Sequence, residues 1–473
     1  MKLYSESKDT IAENAIGALV KNHKPDITQL DNTMCSLEQH VDAYLSISNV
    51  YDVVSHEHFD FIDKSNYILY NEYIKTITSN LNIKPVTISQ EAIETIPSVV
   101  LNHHISLEGL IGDMWEKIKT LFTKVYEGIK KFFTTYFTQL GRLKKKLANL
   151  KEVLEETDKD IKNLTKQDVP GNITSKYPYP GTVNLNLIQE IFNNINTVTS
   201  TLVKINSLAL KFADKEILDS DFVSKVKTLR ELASKSNNQI EENNQKKGLN
   251  PLSKNNRDLR NENKSLKEIA DSSEKEASDT ERSAIDIGND SSNTDVEFDD
   301  KEFILAKKEF NEFIKEIEKE MNGLKNKNLI NGLKITNIEV KEDSGIDFQT
   351  EVTKETPNIL NLSSKTELLN LINDTIKMVD SIDKVSDSYS QINDNIMKNM
   401  NNVDKIIREI DGIKIESLGK YKTVLTNKVR ERLKLMKTFF SQYNKVNKSL
   451  FGYVIDTAEG NVAYTLISLK NFG

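Results

Sequence analysis

Histidines and carboxylates are the residues of this chain whose types best suit chemistry, and the histidines are concentrated near its start. All six histidines precede residue 105, and His56 and His58 form an H-x-H pair between Asp52 and Asp60. Such a pair can give a metal ion two ligands, but a site needs a third and a fourth, and nothing in the sequence brings the aspartates to the pair. We therefore predict a polar surface stretch here and no metal site.

Catalytic sequence motifs are missing from the chain. It contains no phosphate-binding glycine loop, no dinucleotide fingerprint, no nucleophile elbow and no H-E-x-x-H. Because no histidine follows His104, a Ser-His-Asp centre cannot form in the larger part of the chain. The single cysteine, Cys35, excludes an internal disulfide and a cysteine-based zinc site. The sequence therefore predicts a protein that is not an enzyme and that holds no cofactor.

A long amphipathic helix beginning near Gly109 is the element most suited to present an interaction surface. Apolar residues recur at steps of three and four from Ile111 to Leu154, which places them on one stripe of a helix. Seven of the chain's 34 aromatic residues lie between Trp115 and Phe137. The residues that we call the aromatic face are Trp115, Ile118, Phe122, Ile129, Phe132, Phe133 and Tyr136.

The aromatic face has three interpretations at the level of sequence. It can pack in the protein's own core, it can bind a membrane surface, or it can pack against other copies or a partner. Nine basic and three acidic residues between Gly109 and Leu150 suit an interfacial membrane helix. We favour a protein cover, because the stripe continues beyond the aromatics to Leu154, as a packed helix requires.

The composition of the whole chain favours long helices. Charged residues make up 29% of the 473 residues and hydrophobic residues 37%, while only 8 prolines and 17 glycines interrupt the chain. No apolar run is long enough to predict a transmembrane helix. We expect a mainly α protein made of long amphipathic helices and helical hairpin or bundle segments, with a small β-hairpin near residues 333–352 and a disordered linker.

A change in composition divides the chain at Glu108. Residues 1–108 contain 7 lysines and 15 acidic residues, whereas the remainder contains 57 basic and 56 acidic residues. An acidic region therefore precedes a nearly neutral one. This region is either an N-terminal domain of distinct composition or a removable leader.

The nearly neutral part divides further. Residues 109–233 are predicted to form the long aromatic helix, over 110–168 with a candidate break at Gly141, and a returning helix. The aromatic face is expected to pack either against Ile191, Val198 and Ile205 of the returning helix or against another subunit. The stretch 234–300 is polar and charged, and we predict that it is disordered.

Residues 301–473 are predicted to form a C-terminal helical domain that carries the hairpin. Within it, one long helix is expected from about Lys365 to Ile407, and two final helices over about Tyr421–Ser449 and Phe451–Leu469. A basic run at residues 142–146 can contact phosphate, although such a run usually solvates a helix face.

The sequence around Glu108 resembles that of a known protein family. Ser106, Leu107, Glu108 and Gly109 resemble the small-x-Glu cleavage sites of internal head proteins of large tailed bacteriophages, which a prohead protease processes. The Trp- and Phe-rich helix that passes into the run Arg142-Leu143-Lys144-Lys145-Lys146-Leu147 is similar to the segment just after the cut in those proteins, and the segment from Tyr443 to Val454 looks like their final helices.

The resemblance implies a structural virion protein of the capsid interior, made in the host cytoplasm with a propeptide that directs packaging and is removed by proteolytic processing. Its implied partners are other virion or capsid proteins and the prohead protease, with self-association and weak contact with packaged DNA as further possibilities. The alternative is an amphipathic, membrane-active helical protein. The resemblance covers about 60 residues and the C-terminus, and leaves open what the protein does inside the capsid.

Overall fold

The computed structural model describes residues 27–56, 64–81, 83, 97–158, 160, 165–166, 168–218, 220, 222–231, 234, 301–341, 345–412 and 419–472. Within the long helix that begins at Pro97, side chains are described from Gly109 onward. The predicted disordered stretch lies almost entirely outside the described residues, as do the H-x-H pair's side chains.

Helices dominate the described residues, which confirms the prediction of a mainly α protein. Residues 222–231 are also helical. The named helices are α1 (Ile27–His56), α2 (Lys64–Asn80), α3 (Pro97–Glu156), α4 (Gly171–Lys176), α5 (Leu185–Ala213), α6 (Lys301–Gly323), α7 (Lys365–Asp383), α8 (Ser386–Asp411) and α9 (Gly419–Leu469).

Two small sheets accompany the helices. The predicted hairpin is confirmed as β3 (Leu333–Lys341) and β4 (Gly345–Val352), which pair antiparallel. Three short strands, β1 (Thr165–Lys166), β2 (Thr182–Val183) and β5 (Ile359–Asn361), form a second sheet with β5 in the centre. The second sheet was not predicted, because strands of two or three residues leave no readable alternation.

Two helices are more continuous than the sequence suggested. Helix α3 begins earlier and ends earlier than predicted, and it passes through Gly141 without a break. Helix α9 is one helix of 51 residues where two were expected, and Gly452 lies inside it. A glycine costs a helix only about 1 kcal/mol relative to alanine, so tertiary packing can hold the helix together at such a position.

One predicted helix is divided instead. The segment expected to continue from Lys365 to Ile407 is broken after Asp383 into α7 and α8. The start of α7 is fixed by a capping box, in which Ser364 and Glu367 each bond to the other's backbone N–H.

Helix α9 is the central element of the core. Its aromatic residues Phe439 and Tyr443 pack against Phe212 of α5 and against Phe313 of α6. The buried amide of Asn206 on α5 accepts a hydrogen bond from Tyr443 at 2.6 Å and donates one to Asn447 at 3.0 Å. Buried, satisfied amides of this kind favour one register of the packed helices.

The returning helix α5 packs principally against α6, α7, α8 and α9. The predicted pairing of its Ile191, Val198 and Ile205 with the aromatic face is therefore wrong, although all three side chains are buried. Helical periodicity identifies which face of α5 is buried but not which helix covers it.

No helix among the described residues is long and apolar enough to cross a membrane.

Candidate functional site

The aromatic face of α3 is buried in the protein. All seven of its residues have relative exposures between 0% and 8%. The opposite side of the same helix, including Lys117, Lys124, Lys130 and Lys131, is exposed. Burial of large apolar side chains contributes about 1.5–3 kcal/mol each, which accounts for an ordered cover over this face.

Helix α9 supplies one wall of that cover. Phe122 stacks on Phe440 with ring centroids 4.8 Å apart, and Phe133 meets Phe451 edge to face at 5.2 Å. Both pairs are separated by the same number of residues along the chain, so α3 and α9 run parallel in this region. Phe133 also packs on Tyr389 of α8, with centroids 3.6 Å apart.

Trp115, the chain's only tryptophan, is held by a polar contact from α8. Its indole Nε1 donates a hydrogen bond to Asp404 Oδ1 at 2.8 Å, and Lys119 and Arg408 also contact that carboxylate. Burial acts to raise the pKa of Asp404, but the hydrogen bonds from Trp115, Lys119 and Arg408 outweigh it and lower the pKa below its usual value. Asp404 therefore remains charged and fixes the orientation of the indole.

A groove between α3 and α9 is filled by α1, which belongs to the predicted leader. The Tyr44 ring lies 5.5 Å from the Trp115 ring. A Cβ at position 128 would lie 3.0 Å from Leu30 Cδ1, so Gly128 allows α1 to approach α3 closely. Most of the α1 side chains buried here are apolar and include Leu37, Val41, Tyr44 and Ile47, while the polar His40 and Ser48 of the same helix are also buried. Helix α1 thus completes the cover of the aromatic face.

Polar contacts between α1 and α9 form a regular antiparallel series, which we call the ladder. Its four rungs are spaced seven, four and seven residues apart on both helices, so the sum of the two residue numbers is constant. The rungs are Asp31 with Lys448, Glu38 with Ser441, Asp42 with Lys437, and Asn49 with Arg430.

The ladder combines two ion pairs with two hydrogen bonds. The Lys448 and Lys437 ammonium groups lie 2.5 and 2.6 Å from their aspartates, and Arg430 Nη1 donates to Asn49 Oδ1 at 3.0 Å. The aspartate side chains of the two pairs are 56% and 60% exposed. Such exposed pairs contribute at most about 1 kcal/mol each, so apolar burial supplies most of the stability and the ladder sets the register of α1.

The packing of α1 leaves a cavity of about 290 Å³ at its N-terminal half. Cys35 and Met34 of α1 line it, together with Phe132 of α3 and Asn444 and Lys445 of α9. This cavity is partly open to solvent, and Cys35 is exposed there.

The predicted processing site lies within the helical backbone of α3. The helix runs through Ser106, Leu107, Glu108 and Gly109 without interruption, and the side chains of the first three lie outside the described residues. Gly109 and Gly112 are exposed. The predicted site therefore lies within about two helical turns of Trp115, where the aromatic face begins.

The ladder was not identified from the sequence. Its signal is present as the matched seven-four-seven spacing of polar residues on two segments, but such spacings are frequent among charged helices and acquire meaning only when the two helices are known to pair. The role of Asp404 was missed for the same reason, since nothing near Trp115 in the sequence points to α8.

No group of three or more metal-ligating side chains that could hold an ion occurs among the described residues. No family model, no curated protein and no solved structure matches this chain.

Proposed function

We propose that this chain is a structural internal protein of a large tailed phage head, packaged through its acidic leader and matured by proteolysis after Glu108. In this role it has no catalytic activity and needs no cofactor. Its partners are the prohead protease and other virion or capsid proteins, with self-association through helical surfaces.

The observation that supports a removable leader is how α1 is attached. It lies on the groove between α3 and α9 through one apolar side and a series of exposed polar contacts. The walls of the groove also contact each other directly, for example through Phe122 and Phe440. Loss of α1 would therefore uncover the groove without separating its walls.

Proteolysis requires an extended substrate, so the helix around Glu108 must open before the cut. Gly109 and Gly112 lower the cost of opening, because glycine is about 1 kcal/mol less favourable than alanine in a helix. A cut after Glu108 would separate the acidic residues 1–108 from a remainder with a formal charge of +1.

The test is the intact mass and N-terminal sequence of the protein extracted from mature particles. We expect a chain that begins at Gly109. Glu108→Gln should block processing, because a protease pocket built for the carboxylate loses charge-assisted hydrogen bonds. Glu274→Gln, in the similar tripeptide Ser272-Ser273-Glu274, is the control that should be processed normally. Recovery of a chain from mature particles with Met1–Glu108 still attached would contradict the proposal.

The alternative, a membrane-surface protein, requires the aromatic face to meet lipid. That face is buried beneath α1, α8 and α9 in the full chain. Co-sedimentation of the protein with anionic lipid vesicles distinguishes the structural role from the membrane role. Absence of binding by the full chain agrees with the structural role, whereas strong binding that weakens with added salt favours the membrane role.

A further inference from the structure

A row of basic side chains, which we call the basic stripe, runs along α3 outside the aromatic face. The stretch 117–146 contains nine basic residues and one acidic residue, Glu127. With about 3.6 residues per turn, six of the basic residues fall within roughly a third of the helix circumference. Five of these are exposed, and Lys146 is half-buried. The stripe consists of Lys117, Lys124, Lys131, Arg142, Lys145 and Lys146.

The charges of the stripe are not neutralised by the protein's own carboxylates. Lys119, on the edge of α3 that faces α8, forms an ion pair with Asp404 at 3.1 Å. Lys144, on the edge that faces α7, forms one with Asp380 at 2.8 Å. In the part of the chain that the structure describes, no carboxylate forms an ion pair with any of the six stripe side chains.

The spacing of the stripe places like charges close together. Arg142 lies three residues from Lys145 and four from Lys146, and like charges at these spacings repel each other on a helix surface. Lys117 and Lys124 are seven residues apart, about 10.5 Å along the helix axis, and Lys131 follows at the same interval. Because the fold leaves these repelling charges uncompensated, the stripe favours an external anion as its partner.

The length of the stripe fits duplex DNA. From Lys117 to Lys146 the continuous helix rises by about 44 Å, the length of about 13 base pairs. A duplex is a stiff, linear polyanion with about one charge per 1.7 Å of its axis. A linear row of lysine and arginine side chains is therefore complementary to it in both shape and charge.

Two other kinds of anionic partner match the stripe less closely. Sites for single-stranded nucleic acid add exposed aromatic side chains on which bases stack, and membrane-surface helices add an exposed apolar side. Among the described side chains of α3 between Gly109 and Leu150, no large hydrophobic residue is exposed. The exposed side of α3 therefore offers charge without a surface for stacking or for insertion into lipid.

We propose that the basic stripe of α3 is a docking surface for the phosphate backbone of duplex DNA. The opposite side of α3 is buried against α8 and α9, so α3 cannot enter the major groove as a free recognition helix does. Its contacts are with phosphates and carry no base-sequence information. The inference rests on the stripe alone, so its failure would leave the phage assignment and processing after Glu108 untouched.

Binding of this kind depends strongly on salt. The full chain carries a formal charge of −7, so the attraction is confined to the stripe and extends about 10 Å at about 0.1 M salt. Each neutralised phosphate contributes about −0.9 to the slope of log affinity against log salt concentration, so six contacts give a slope of about −5.

The test is fluorescence anisotropy of a labelled duplex, twice as long as the stripe, titrated with the full chain. We expect saturable binding at about 50 mM salt and a loss of affinity of about 10³-fold by about 200 mM salt. Absence of saturable binding at the lower salt concentration would show that the stripe is not a DNA-docking surface.

Neutral substitutions locate the contact on the stripe. Lys117→Gln, Lys124→Gln and Lys131→Gln remove three of its charges, and glutamine has nearly the helix propensity of lysine. We expect the salt slope to become less steep by about 3, and the affinity at about 50 mM salt to fall by at least about tenfold. Circular dichroism should show an unchanged fold, because all three side chains are exposed.

The matched control removes three charges from other helices. Lys319→Gln, Lys377→Gln and Lys398→Gln lie on α6, α7 and α8, where these side chains are 69%, 78% and 67% exposed. This variant has the same net charge as the stripe variant and should keep the wild-type affinity and salt slope. If the two variants weaken binding equally, net charge rather than the stripe governs binding and the proposal is wrong.

Competition identifies the partner. Unlabelled duplex should displace the labelled duplex more effectively, per phosphate, than the single strand of the same sequence. It should also be more effective than vesicles made of equal parts of phosphatidylserine and phosphatidylcholine. Equal or better displacement by either competitor would rule out duplex DNA as the preferred partner.

A second measurement uses the wild-type chain without substitutions. Lysines are acetylated with and without an excess of duplex, and the modified positions are read by mass spectrometry. Lys117, Lys124 and Lys131 should become protected, whereas Lys319 and Lys377 should react at an unchanged rate. Protection that is uniform over these lysines, or absent from all of them, would contradict the proposal.

Discussion

At the scale of single residues, Phe133 is the point where three helices meet. Its ring contacts Tyr389 of α8 and Phe451 of α9, and its side chain is 3% exposed. Phe133→Asp places a charge in this apolar contact. We expect the free energy of unfolding in urea to fall by at least about 3–5 kcal/mol, the usual loss when a buried Phe side chain is removed.

The neighbouring position provides the control for Phe133. Thr134 is exposed, so Thr134→Asp should change the free energy of unfolding by less than about 0.5 kcal/mol. Equal, small effects of the two substitutions would mean that the aromatic face is not packed against α8 and α9.

Asp404 gives a prediction about pH. Its pKa is lowered in the folded protein, so the unfolded state binds more protons at acid pH. Its contribution to stability is complete above the ordinary aspartate pKa of about 3.9 and is lost as pH falls through the lower folded value. Asp404→Asn can still accept a hydrogen bond from Trp115 but carries no charge.

The measurement is urea unfolding from about pH 6 down to about pH 2.5. We expect the stability difference between wild type and Asp404→Asn to be largest at the upper end and to shrink towards the acid end. A difference that is constant across this range would show that the charge of Asp404 does not contribute. Asp113→Asn is the control, because Asp113 is an exposed aspartate on α3, two residues before Trp115.

At the scale of elements, the continuity of α9 makes Gly452 an ordinary helical position. A Cβ there would lie 3.5 Å from the Tyr136 hydroxyl, which is normal contact. Gly452→Ala should therefore raise the free energy of unfolding by about 0.5–1 kcal/mol, because alanine loses less backbone entropy. If two separate helices met at Gly452, Gly452→Ala would instead lower the free energy of unfolding.

Gly345 is the matched comparison. It opens β4 with a φ of 93°, and a Cβ would lie 2.3 Å from the Gln442 side chain. Gly345→Ala should therefore lower the melting temperature, while Gly452→Ala raises it. Calorimetry of both variants tests whether the two glycines differ in this way.

The helices and the hairpin could be predicted from the sequence because their signals are local. The three-residue and four-residue steps from Ile111 to Leu154 identified α3 and its buried side, and a turn between two apolar runs identified β3 and β4. The predicted positions of the helix ends were less accurate. A glycine weakens a helix locally, but packing of α9 against α3 and α5 keeps α9 continuous through Gly452.

The partners of each helix could not be predicted in the same way. Burial of the aromatic face was expected, but its cover by α1, α8 and α9 depends on contacts between residues hundreds of positions apart, as for Trp115 and Asp404. A single sequence contains the spacing of the ladder on α1 and on α9, but only the fold shows that the two spacings meet.

At the scale of the whole molecule, the acidic region and the basic edge of α9 are complementary. The described part of the predicted leader includes α1, whose carboxylates face Lys437 and Lys448. The helices of residues 109–233 and 301–473 share one apolar core with α1. The change in composition at Glu108 thus separates the region that contains α1 from the helices whose apolar surface α1 covers.

The most direct test of this account is the solvent accessibility of Trp115, since it is the only tryptophan and lies beneath Tyr44 of α1. We measure its fluorescence and acrylamide quenching in the full chain and in the chain carrying Lys437→Glu, Ser441→Glu and Lys448→Glu. The account predicts blue-shifted, weakly quenched emission in the full chain, and red-shifted, readily quenched emission once the ladder is reversed. The account would be contradicted if acrylamide quenched Trp115 in the full chain as readily as in denaturant. It would also be contradicted if ladder reversal left the emission and its quenching unchanged.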